Sequence, residues 1–183
     1  KVSGKTPIGV IIAIKDNCGY AMTASPIRTK IKWGGHGTDI PSLPNYTNWQ
    51  AAITDFDVSR NMTKIIQTGD ANTYPAAYAA FNYAPSAAPT TKGLWMLPSA
   101  GILHTLYTNK NVINNTISKL GGIQLTNDNE HIWSSSEYND TLVWAFWTFS
   151  PIQGGVGGYD KNSIDACIIS ECIPFVVRPV IMF

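Results

Sequence analysis

The chain has 183 residues, of which 44% are hydrophobic and only 14% charged, and its net charge is +1. That length suits one domain with a real core, since a domain of this size buries roughly 70% of its unfolded surface, and scattered lysines exclude the basic patch or stripe of a nucleic-acid footprint. The longest apolar run, Ile8 to Ile14, falls well short of the roughly 20 residues that span a bilayer, and without a basic segment before a small-residue cleavage site any signal peptide lies outside this sequence.

The stretch "PIGVIIAIKDNCGYAMTAS" predicts an apolar strand, a turn at "KDNCG" and a second strand over Tyr20 to Ala24, a β-ribbon. "IKWGGHGTDIPSLPNY" is rich in Gly and Pro and predicts a loop, after which Thr47 is placed to cap a helix over "NWQAAITDF". Ser59 to Gln67 and "YPAAYAAFNYA" predict short helices, separated by Gly69 and closed by Pro85. A short strand ends at Pro98, and Ser99 caps a helix through about Tyr107. A second helix then carries Val112, Ile113, Ile117 and Leu120 at helical spacing until Gly121 and Gly122 stop it. From Ile132 the runs "IWSSSEY", "LVWAFWTF", "GGVGGYD" and "FVVRPVIMF" are short and β-type, separated by turn residues. Ribbon, helices and then an irregular antiparallel sheet make an α+β arrangement in a single domain.

Little in the chain points to catalysis. His36, His104 and His131 are dispersed over a loop, a helix and a pre-strand loop, with no GxSxG elbow beside them. No HExxH spacing brings two imidazoles to one metal. The carboxylate pairs Asp55 with Asp57 and Asp128 with Glu130 read as caps and surface groups. "WGGHG" lacks the Lys-Ser/Thr of a phosphate loop, so its glycines serve tight turns. Three cysteines, an odd number, fit neither a disulfide framework nor a paired CxxC zinc site.

The C-terminal part reads differently. Trp144, Phe146, Trp147 and Phe149 place four aromatics in six positions, on both faces of a strand. Most must be core. One aromatic face, rimmed by Asn139, Asp140, Ser150 and Gln153, suits ligand contact. In "DACIISECIPF", Cys167 and Cys172 are five positions apart and would point to opposite faces of a continuous strand, so they pair only if the chain turns near "ISE". A display loop, a local disulfide and a reactive pair are the three readings, in that order.

Seven segments in order, from "PIGVIIAI" with "CGYAMTAS" through "WGGHGTDIPSLPNYTNWQAAITDFD", "YAAFNYAP", "GLWMLPSAG", "LYTNKNVINNTISKLGG" and "WSSSEYN" to "VVRPVIMF", resemble Bacteroides-type surface proteins with a C-type-lectin-like fold. That fold is related to the formylglycine-generating enzyme and to the variable proteins of diversity-generating retroelements. The resemblance implies one domain over residues 1–183 with a variable ligand-binding region at about 133–176. Diversification there acts on adenines, typically of asparagine codons, and cannot yield Trp, Glu, Gln, Lys or Met. Trp144, Trp147 and Lys161 would then be invariant scaffold, whereas Asn139, Asp140, Thr141, Leu142, Ser150, Ile152, Asn162, Ser163, Asp165, Ile168, Ser170, Ile173 and Phe175 are candidate display positions. Trp147 and Gln153 belong to the same expected ligand surface.

Two departures bear on function. "EYND" and "NDNE" are partial matches to the calcium-dependent sugar motifs of lectins, so no such site is expected. Cys167 and Cys172 have the C-x4-C spacing of the copper(I)-binding pair in the formylglycine-generating enzyme, but the enzyme's substrate motifs are not recognisable around them. The expectation is a non-enzymatic, cofactor-free module at a bacterial cell surface or on a phage particle. It binds a protein or glycan through its variable face, without contacting nucleic acid, and reaches a membrane only through an anchor outside this chain. A tip or structural subunit of a surface filament is the alternative among binding roles, and a copper oxidase the alternative among enzymes.

Overall fold

The computed structural model describes residues 4–126, 130–147, 155–168 and 171–183. The ribbon forms as expected: β1 (Val10–Lys15) and β2 (Cys18–Met22) pair antiparallel across Asp16 and Asn17, at φ 50° and 63°. Two consecutive positive φ values match the twist of a tight hairpin, and Asp and Asn are the side chains that best tolerate them.

The helices are α1 (Trp49–Ala52), α2 (Val58–Thr68), α3 (Pro75–Phe81), α4 (Ala100–Thr108) and α5 (Lys110–Lys119). Asn48, rather than Thr47, caps α1, its Oδ1 accepting from Ala51 N–H at 2.9 Å. Asp57 caps α2 by accepting from Arg60 N–H at 3.1 Å. Ser99 stands at the N-cap of α4 without capping it, because the hydroxyl of Ser136 accepts from Ala100 N–H at 2.8 Å instead. On α5, Ile113 and Ile117 are buried whereas Val112 is 69% exposed, since neighbouring helix positions diverge by about 100°. Gly121, at φ +72°, ends α5: its N–H and that of Gly122 donate to the carbonyls of Ser118 and Ile117, each at 3.0 Å, a two-bond closure that needs a left-handed residue.

The remaining strands are β3 (Arg28–Thr29), β4 (Trp95–Met96), β5 (His131–Glu137), β6 (Leu142–Phe146), β7 (Val156–Asp160), β8 (Asp165–Ile168), β9 (Glu171–Val177) and β10 (Val180–Met182). One sheet has the order β1-β2-β10-β4, so the last strand lies between the first hairpin and β4. The second runs β3-β9-β5-β6-β7, with β8 paired to β9. The α+β class stands, but the second sheet is mixed rather than antiparallel throughout: β5 and β9 run parallel, with His131 opposite Phe175. The excursion through β6, β7 and β8 supplies the long crossover that parallel neighbours require.

Central strands of that sheet are buried on both faces. Ile132, Trp144, Phe146 and Val176 face a core shared with β1, β2, α4 and α5. Trp133, Val143, Ala145, Phe175 and Val177 face a second core under α2, α3 and the loop of Trp33, Ile40 and Leu43. Two-sided packing therefore explains the dense aromatic run: Phe146 is fully buried and Trp144 is 4% exposed.

Buried polar groups tie these layers together. Asp55 is not a surface residue but 3% exposed, its Oδ2 accepting from Asn61 Nδ2 at 2.7 Å and Ser136 Oγ at 2.6 Å. Glu130 is likewise buried, against Arg178 at 2.6 Å, whose guanidinium also donates to the carbonyls of Ala24 and Ile123. Burial raises the Glu130 carboxyl, and Arg178 opposes that rise.

His131 is 1% exposed, between the rings of Tyr159 and Phe175 at 5.1 and 5.2 Å. Burial pushes its imidazole down to about 4, against a weak opposing contribution from the backbone at Ile173. The folded state then binds this proton more weakly than the unfolded one. The contribution is therefore fully present above the ordinary value of 6.5 and is lost as pH falls from there towards 4. At about 1.4 kcal/mol per pK unit, we expect the chain to lose about 3 kcal/mol over that range. Urea midpoints across pH for the parent and His131→Leu should differ by this component; parallel profiles would contradict it.

Candidate functional site

One end of the second sheet gathers several of the expected display positions. The turn between β5 and β6 is built by Asn139, whose Oδ1 accepts from the N–H groups of Thr141 at 2.9 Å and Leu142 at 2.7 Å and from the Thr141 hydroxyl at 3.1 Å. Asn139 is thus spent on making the turn, and Asp140 is exposed at its tip. The neighbouring turn after β7 is built in the same manner by Asp160, which accepts from Asn162 N–H at 2.7 Å. Lys161 N–H donates to the Thr141 carbonyl at 3.0 Å, while Gly34 and Gly37 N–H donate to the carbonyls of Lys161 and Asp140, each at 2.9 Å. Three segments, 34–38, 139–142 and 160–163, therefore form one continuous rim.

Gly34 is required where this rim meets α3: its φ is +98°, and a Cβ there would come within 2.0 Å of the Thr73 carbonyl oxygen. His36 joins the rim through Asp160, with Nε2 3.4 Å from Oδ2. Its place in the "WGGHG" loop marked it only as a loop residue.

A buried ion pair braces the rim from below. Lys161 and Glu137 have fully buried side chains, with the Lys161 ammonium on the Glu137 carboxylate. The same ammonium donates to the Thr38 carbonyl at 2.9 Å and sits 5.0 Å over the Trp33 ring. Glu137 Oε2 accepts from Ile40 N–H at 3.2 Å. Burial raises the Glu137 carboxyl, opposed by Lys161 and by the Ile40 amide. One pair thus holds β5, the 33–40 loop and the turn after β7 in register.

The remaining expected positions divide. Asn162 is exposed and Ser163 and Asp165 are half-buried beside the rim. Ile173 and Phe175 do not display: they are 5% and 0% exposed, because β9 is covered on that face by the second core. Trp147 is half-buried at the end of β6, bonded through its backbone N–H to Gly155. Ile168 lies in β8, and Ser150, Ile152, Gln153 and Ser170 lie outside the described residues.

Cys167 and Cys172 are directly opposed in the β8–β9 hairpin and joined by a local disulfide, so this segment is a bridged hairpin rather than a free display loop. Their sulfurs bond each other, so neither is a thiolate available to copper(I) in this state. Closing so short a loop removes little chain entropy, and Cys167→Ser with Cys172→Ser is expected to cost at most about 2 kcal/mol. Thiol titration of the denatured chain should find Cys18 alone before reduction and all three cysteines after it; three reactive thiols without reductant would disprove the bridge.

No protein-family model matches the chain, and no curated protein matches it significantly. Among solved structures it is similar to a fimbrial protein from Bacteroides ovatus ATCC 8483, with a TM-score of 0.56 at 13% identity, covering 90% of this chain and 35% of that one. At that identity the likeness shows a shared α+β fold. This chain spans about a third of that protein's length. Among the described residues no helix is long and apolar enough to cross a membrane.

Proposed function

We propose that this chain is a non-enzymatic domain of a bacterial surface filament, either at its tip or in its body. The observation that carries this reading is the fold shared with a fimbrial protein over 90% of the chain. Fold alone does not confer function, so the test is location. An epitope-tagged chain in its native host should appear in the filament fraction released by shear and label filaments under immunogold. Recovery only from the cell interior would refute it. Membrane attachment, in this reading, comes through an anchor outside this chain, and nucleic acid is not a partner.

A second reading adds ligand recognition to the same domain: a C-type-lectin-like scaffold with diversified positions, carried on the cell surface or a phage. It is favoured by the rim, where Asp140, Thr141, Asn162 and Ser163 lie on turns braced by a buried ion pair. Rigid support under replaceable side chains is what a variable binding surface needs. Sequencing the gene across isolates should show replacements at 140–142 and 162–163 with Glu137 and Lys161 unchanged. Variation spread evenly over the helices would argue against diversification.

A further inference from the structure

Beside the rim, against β6, β7 and the start of α1, lies a pocket of about 320 Å³. Trp49, Tyr138 and Trp144 line it with their rings, together with Leu142 and, exposed at its mouth, Thr47, Asn48 and Gly158. The Trp144 indole is anchored by donating to the Tyr46 carbonyl at 2.8 Å, and the Tyr138 ring lies 5.2 Å from it at 38°. Trp49 and Tyr138 are half-buried, whereas Thr47, Asn48 and Gly158 are exposed. Asn48 has committed its Oδ1 to α1, which leaves its amide nitrogen as a donor at the lip. Gly158 lets the pocket open: a Cβ there would stand 3.2 Å from Tyr138 Cδ2.

We propose that this pocket holds one neutral sugar unit of a glycan. The proposal rests on the ligand-binding reading above and names its ligand class. No lining residue is charged, so a charged ligand would lose its hydration with no partner to replace it. The volume sits at the small end of ligand pockets, which run from roughly 300 to 1,000 Å³, and so suits one ring rather than an extended chain. Aromatic faces carry negative potential and attract the C–H face of a pyranose, while Thr47, Asn48 and the Tyr138 hydroxyl can pair with ring hydroxyls.

The test is saturation-transfer NMR on the whole chain with the methyl glycosides of glucose, galactose, mannose and N-acetylglucosamine, followed by tryptophan-fluorescence titration. At least one should bind at millimolar concentration. Trp49→Ala, Tyr138→Ala and Gly158→Leu should each weaken it at least about fivefold, the equivalent of the usual 1 kcal/mol threshold for a contact residue. Gly158→Leu fills the mouth from an exposed strand position, so it serves even where loss of an aromatic wall unfolds the chain. Binding of none of the four, or binding that all three variants leave intact, overturns the proposal. So does a proline-rich peptide that occupies the pocket in preference to every glycoside. If a surface-protein screen instead yields a ligand sensitive to Asp140→Ala but not to the pocket variants, the sugar assignment fails while the rim stands as the recognition surface.

Discussion

Replacing Lys161 with Met is expected to cost about 3–5 kcal/mol of folding stability, because it strands a carboxylate in the interior. Glu137 is 0% exposed and its charge is matched by Lys161, also 0% exposed. Among the described residues, removing the cation leaves only the Ile40 N–H on that carboxylate. The variant also loses the Lys161 bond to the Thr38 carbonyl and the contact over Trp33, so the 34–38 segment loses its buried side-chain clamp and keeps the partly exposed His36–Asp160 contact. The Glu137 carboxyl, already raised by burial, then rises further. A carboxyl raised on folding binds its proton more tightly in the native state, so its penalty appears as pH rises through the folded value and shrinks as pH falls. The deficit of Lys161→Met relative to the parent should accordingly be larger at alkaline than at acidic pH in urea unfolding. The double variant Glu137→Gln with Lys161→Met should recover part of it, since no buried charge is left unpaired. A deficit under about 1 kcal/mol, the value of an exposed pair, would mean that the two groups are not desolvated together.

Phe175→Ala is the second large effect, expected at about 3–5 kcal/mol for a buried aromatic truncated to Ala. The ring stacks on Trp133 with centroids 3.8 Å apart and planes at 7°, and meets Tyr159 edge-on at 5.0 Å. Its removal would leave a cavity between β9, β5 and β7 that the rigid strands cannot close. A display residue would behave in the opposite way, losing ligand affinity with stability intact. Thermal or urea unfolding of this one variant therefore separates core from display. Near-neutral stability would return Phe175 to the recognition surface.

These two residues also show how the chain conceals its architecture. Phe175 falls in a run compatible with diversified codons and lies close to Cys172, which made it a reasonable candidate for display. What buries it is β9 returning parallel to β5, placing Phe175 opposite His131. No local pattern records that pairing. Lys161 proves to be a buried interior group, and nothing in the sequence named Glu137 as its partner 24 residues away. Trp49 and Tyr138, which wall the pocket, were missed because neither carries a spacing that relates it to β6; "WSSSEY" marked a strand and little more. The serines of that segment prove to be interior groups, with Ser136 joining Asp55 to the start of α4.

By itself the sequence determined what is local: the tight turn at Asp16 and Asn17, the cap at Asp57, the glycine stop of α5, and the shift from helix to strand after Gly122. These depend on backbone preferences and hydrogen bonds within a few residues, which side-chain type specifies directly. Tertiary structure alone decided which β-runs have two buried faces, which carboxylates are interior, and that Cys167 and Cys172 meet across a hairpin. Those outcomes depend on strand order and on desolvation by distant segments, and a short run of aromatics carries the same pattern whether its second face meets water or another core.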